Sequence, residues 1–173
     1  MPAGIVSTRL RPWLDVTFVP VACRIDEQTI GFDFDVEVYN SGSAAARDTR
    51  IEATLFNAGA NQEQAIAAFM SRPTMEGEAL APIGPLQRMS VRLSLEASRA
   101  SIEQFETGGR QFFVPVIAFN ASYRWSSGAG QTSGSALLGR ESGAERLAPL
   151  RVDLGNRAFA GLGARSLPTG VRK

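Results

Sequence analysis

The 173-residue chain contains no histidine. That excludes Ser-His-Asp and Cys-His nucleophile systems, histidine metal ligands and the usual proton shuttle near neutral pH. Lysine is almost missing too: among 18 basic residues only Lys173 is a lysine, so no internal Schiff-base or P-loop lysine is available. One cysteine, Cys23, cannot form an intrachain disulfide and suits either a reducing or an oxidising compartment. No apolar run approaches the roughly 20 residues that span a bilayer. Residues 1–21 carry Arg9, Arg11 and Asp15 where a signal peptide needs an apolar stretch, so the chain as given is expected to be soluble. What is present, 44% hydrophobic and 20% charged residues, suits one globular core. Neither a repeat nor a linker interrupts it, so a single domain over 1–173 is expected, with 1–12 and 156–173 as possible extensions.

The net charge of +1 conceals an asymmetry. Residues 1–86 hold 6 basic and 11 acidic side chains, whereas residues 87–173 hold 12 and 6. The two halves therefore attract, and strands of the acidic half are expected beside strands of the basic half. A nucleic-acid partner is not expected, since that requires a basic face with aromatic stacking and a clearly basic chain.

Strand signals dominate. Over 29–39, Ile30, Phe32, Phe34, Val36 and Val38 alternate with Gly31, Asp33, Asp35, Glu37 and Tyr39, the pattern of an antiparallel strand with one wet face. Residues 47–57 and 88–95 alternate in the same way, and the turn cluster Asn40-Ser41-Gly42 separates the first two runs. Between them the period changes: Ile66, Phe69 and Met70 form one helical stripe over 61–72, which Arg72 and Pro73 stop. This stripe is expected to pack on an open sheet face or edge. A second short helix is predicted from Ser98 or Ser101 to Gln104, ended by Gly108 and Gly109. Residues 111–125 are apolar on both faces and predict a covered central strand, with Pro115 marking a bulge or an unpaired edge. Residues 126–135 read as a Gly/Ser-rich segment that a strand follows or overlaps. Residues 147–154 could form a last strand. If the final segment packs, Leu154, Phe159 and Leu162 should do it. The expected core is Phe32, Phe34, Val36, Val38, Ile51, Leu55, Val91, Leu93, Val114 and Val116.

Few residues suggest chemistry. Asp33, Asp35 and Glu37 share one strand face about 6.5–7 Å apart. A flat ladder does not converge as calcium ligands must, so pairing with arginines is expected instead, with Arg50, Arg88 and Arg92 as candidates. No apolar pocket is identifiable that would raise one acid of a glycosidase-like pair. No catalytic residue, metal site or cofactor is therefore assigned. The one ligand-binding candidate is the end of the central strand, where Tyr123, Trp125 and Gln131 put aromatic faces beside an amide that could hold a sugar or peptide. The alternative is that Tyr123 and Trp125 close the bottom of the core. Cys23 reads as a small buried hydrophobe.

The long strands meeting at Asn40-Ser41-Gly42-Ser43-Ala44-Ala45-Ala46, the loop Leu80-Ala81-Pro82 and the next alternating strand resemble the immunoglobulin-like "cell adhesion related domain found in bacteria", over about residues 29–96. The resemblance implies a mainly β, immunoglobulin-like antiparallel β-sandwich with one or two short inserted helices. Arg11-Pro12-Trp13-Leu14, residues 55–59 and residues 113–120 are similar to a group of bacterial proteins in which such a domain follows an N-terminal membrane segment. That likeness implies an envelope-associated protein whose membrane association would run through a segment absent from this chain. The expected function is a non-catalytic interaction or assembly module with a protein partner. A carbohydrate-binding or hydrolase-accessory sandwich domain is the alternative.

Overall fold

A computed structural model describes residues 10–71, 76–143, 146–168 and 170–173. Residues 1–9, and the predicted helix stop at Arg72 and Pro73, lie outside them. The fold is mainly β, with antiparallel sheets packed on one another. The first sheet joins β1 (Leu14–Ile25), β2 (Thr29–Asn40), β5 (Arg88–Ser98) and β11 (Arg157–Phe159) in the order β11-β1-β2-β5. The second joins β3 (Arg47–Asn57), β4 (Glu78–Ala79), β8 (Pro115–Trp125), β9 (Gly128–Arg140) and β12 (Leu162–Ser166) in the order β12-β9-β8-β3-β4, and β13 (Val171–Arg172) also pairs with β9. A small third sheet holds β6 (Phe105–Thr107), β7 (Arg110–Phe113) and β10 (Leu150–Arg151), with β7 in the middle.

Alternation in β2 does what the sequence implies. Ile30, Phe32, Phe34, Val36 and Val38 are wholly buried and meet Ile51, Ile117 and Ala121 of the second sheet in one core. Of the expected core, Leu55, Val91, Leu93 and Val114 are only half-buried. Val116 is buried on the other side, because odd-numbered β8 residues face the first sheet and even-numbered ones face outward.

That outward face is covered by α1 (Gln62–Ser71). A helix of ten residues is not stable alone in water. Ile66, Phe69 and Met70 fasten it against Val116, Ala118 and Phe56, each buried side chain stabilising by about 1.5–3 kcal/mol. The predicted stripe thus packs on an open sheet face.

Three expectations change. The second helix is a single 3₁₀ turn, Arg99–Ser101, capped by the Ser98 hydroxyl, which accepts from Ala100 N at 3.3 Å. Gly108 and Gly109, at φ 60° and 73°, make the tight turn between β6 and β7 rather than a helix stop. Stacked Phe105 and Phe112, 5.6 Å apart, hold that hairpin. Second, the run 111–125 is not one strand: β7 ends at Phe113 in the small sheet, and β8 begins at Pro115 in the large one. Proline suits a first strand position, where its missing donor leaves no interior gap in the ladder. Third, of the three residues expected to pack the final segment only Phe159 and Leu162 lie on the core, where β11, β12 and β13 join the sheets, while Leu154 is 38% exposed.

Candidate functional site

The acidic ladder lies on the outer face of the first sheet and is matched. Arg92 Nε donates to Asp35 at 2.6 Å across the β2–β5 register, Arg88 pairs diagonally with Glu37, and Ser94 Oγ donates to Asp33 at 2.6 Å. The arginine on Asp33 is Arg24 of β1. Arg50 sits in the other sheet, where its Nη1 donates to the Gly77 carbonyl at 3.3 Å, so it was not a ladder partner. Alternation cannot assign β3 to a sheet, which is why Arg50 was expected here, and the pairing of β1 with β2 that brings Arg24 to Asp33 is a long-range feature. The Arg24 and Ser94 hydrogen bonds hold the Asp33 carboxyl below the usual carboxylate range.

Tyr123, Trp125 and Gln131 do not converge. Tyr123 and Trp125 lie on the core face of β8 with ring centroids 6.2 Å apart, and Tyr123 is 1% exposed. Gln131 pairs with Ser122 and therefore occupies the opposite face. There its Nε2 donates to Asn120 Oδ1 at 2.8 Å, to Ser133 Oγ at 3.0 Å and to the Met70 carbonyl beneath the helix. Trp125 is engaged as well: the Arg11 guanidinium lies between the two indoles, 4.6 Å from the Trp125 ring centroid and 3.5 Å from that of Trp13, and Arg172 lies 4.7 Å from the Trp13 centroid. These contacts continue the core outward and leave no free aromatic platform at the three residues. Tyr123 and Gln131 do border one cavity of about 710 Å³.

The Gly/Ser-rich segment is itself β9. Trp125 faces Gly128, Tyr123 faces Gly130 and Phe119 faces Gly134 across the ladder. A Cβ on those glycines would lie 2.6, 2.8 and 2.7 Å from the opposing rings. The glycines are there because the aromatic side chains lie over them.

Cys23 is buried, and burial pushes its thiol up to about 12, partly offset by Arg24. Its thiol is not a nucleophile at neutral pH.

The remaining feature is an edge. β4, β6, β11 and β13 have two or three residues each, short enough to discourage further pairing. β5 runs for 11 residues, and among the described residues no strand pairs with its outer side. Gln87 O accepts from Asn40 N at 3.0 Å and Arg99 N donates to Gln28 O at 2.8 Å, so the odd positions flanking β5 bond to the β2 side. The β2–β5 register is unbroken between them. Antiparallel ladders alternate every residue, so Arg88, Ser90, Arg92, Ser94, Glu96 and Ser98 direct their N–H and C=O outward. Sequence alternation gave the faces of β5; its place at the sheet edge depends on long-range pairing.

The fold and this edge define a β-sandwich in which, among the described residues, one long strand has an unpaired outer side. No protein-family model, curated protein or solved structure matches the chain.

Proposed function

We propose that the chain is a non-catalytic interaction or assembly module, an immunoglobulin-like sandwich that takes up a protein partner. The observation that carries this reading is the 11-residue edge of β5, with which no described strand pairs on the outer side and whose middle, Arg92–Leu95, borders a cavity of about 460 Å³ shared with Ile51, Gly77 and Glu78; its alternate main-chain groups can add an extended segment to the sheet. Lack of histidine and of internal lysine supports the non-catalytic part. The immunoglobulin-like assignment draws support from strand order, β1-β2-β5 in one sheet and β3-β8-β9 in the other. Attachment to a bacterial envelope protein rests on the sequence resemblance.

Ser94→Pro provides the test. Its N–H points outward, so proline there leaves the β2–β5 backbone hydrogen bonds intact, losing only the Ser94 Oγ–Asp33 side-chain bond, while blocking strand addition. A partner recovered from source-cell extract on the native chain should be lost on Ser94→Pro and retained on Trp125→Ala, with both variants folded by circular dichroism. Recovery unchanged by Ser94→Pro would overturn the reading. So would stabilisation by a glycan that Trp125→Ala abolishes, which would favour the carbohydrate-binding alternative.

A further inference from the structure

The outer face of the second sheet treats charge in the opposite way to the first. Arg47 of β3 stands directly across the ladder from Arg124 of β8, two cations in the arrangement that destabilises a cross-strand pair. One step along, Arg50 is opposite Ser122 on the same face, since the β3 irregularity between 47 and 50 restores the register. Arg50 and Arg124 border the cavity of about 710 Å³, together with Lys173, Gln131, Ser122 and Ser71 at the end of α1. Arg47 borders a second cavity of about 640 Å³, and the two share Asp48 and Arg50. Among the described residues, none of Arg47, Arg50, Arg124 and Lys173 has a carboxylate within salt-bridge distance, whereas every acid of the β2 ladder has its arginine. Asp48, the acidic side chain on the border among the described residues, sits on the irregularity with φ at 50°, a left-handed conformation in which Asp and Asn are enriched.

We propose that this cavity binds a small polyvalent oxyanion, a ligand carrying phosphate or carboxylate groups, held by the guanidinium forks of Arg124 and Arg50, with Lys173 at the rim and Arg47 on the adjoining cavity. The forks match either group in two-point geometry, and an anion between them would turn the Arg47–Arg124 opposition into attraction. A concave site suits a small molecule better than a nucleic acid, which needs a basic face over a longer track.

Pyrophosphate and citrate are the probes, titrated calorimetrically and by thermal melting at constant ionic strength, with sodium chloride as control. The native chain should bind at least one of them and melt higher in its presence; the probe that binds assigns phosphate or carboxylate. Arg124→Ser should raise the melting temperature of the free chain, by relieving the like-charge pair, and weaken binding about tenfold or more. Asp48→Asn keeps a residue that tolerates the left-handed backbone and removes the repelling carboxylate. It should tighten binding about threefold to tenfold, a gain that misfolding cannot imitate. Binding no stronger than that of chloride, or binding indifferent to both substitutions, would overturn the proposal.

Discussion

Asn40 shows how one side chain can determine a corner. It is wholly buried, and its Oδ1 accepts from Trp13 N at 3.2 Å and Gly42 N at 2.9 Å, while its Nδ2 donates to the carbonyls of Ala44 at 2.8 Å and Ile83 at 2.9 Å. It joins the entry to β1, the turn after β2 and the loop before β5. Gly42 follows from the same packing, because a Cβ there would lie 2.7 Å from the Pro12 carbonyl carbon. Ala46 is buried and exchanges both backbone hydrogen bonds with Ile83, at 2.9 and 3.0 Å. Asn40→Ala leaves four backbone groups without this partner and should lower unfolding free energy by about 2–4 kcal/mol in a urea titration. Asn40→Asp should also destabilise, since a carboxylate accepts but cannot donate to the two carbonyls. The Asn-x-Gly turn was therefore legible in the sequence as a turn, but its hold on Trp13 and Ile83, 27 and 43 residues away, was not.

At the scale of the element, strands with one polar face could be read directly: β2, β3 and β5 each announce themselves by alternation, and α1 by its apolar stripe. β9 was legible only as a strand following or overlapping a Gly/Ser-rich segment; its start at Gly128 was not, because its glycines answer to rings on another strand. Gly134→Ala should cost about 1–3 kcal/mol, since its Cβ would fall 2.7 Å from the Phe119 ring, itself stacked on Phe18 at 4.8 Å. In a Phe119→Leu background the same substitution should cost less, and a double-mutant cycle measured by chemical denaturation reads the difference. Additive effects would mean that the ring does not determine the glycine. The β6–β7 hairpin was hidden for another reason: two glycines after a polar segment fit a helix end as well as a two-residue turn, and the choice lies in φ at both positions.

Across the whole molecule, the charge asymmetry is partly resolved within the fold. Asp35–Arg92, Glu37–Arg88 and Asp15–Arg172 join the acidic half to the basic half, whereas Asp33–Arg24 stays within the first and Arg151–Asp153 within the second. Because Arg24 and Ser94 depress the Asp33 carboxyl, the native state holds fewer protons there than the unfolded chain in acid. Its contribution is present above the ordinary carboxylate value near 3.9 and is lost as pH falls through the depressed one. The stability difference between the native chain and Asp33→Asn should be constant at pH 5–7 and shrink towards pH 2, as read from urea midpoints along a pH series. The seam between the chain's two ends has an optical consequence. Both tryptophans, Trp13 and Trp125, belong to the stack built by Arg11 and Arg172. Intrinsic fluorescence of this protein is therefore a local gauge of that seam, while far-ultraviolet dichroism averages over the strands, so their agreement or divergence during unfolding tells whether the seam opens with the sandwich or before it.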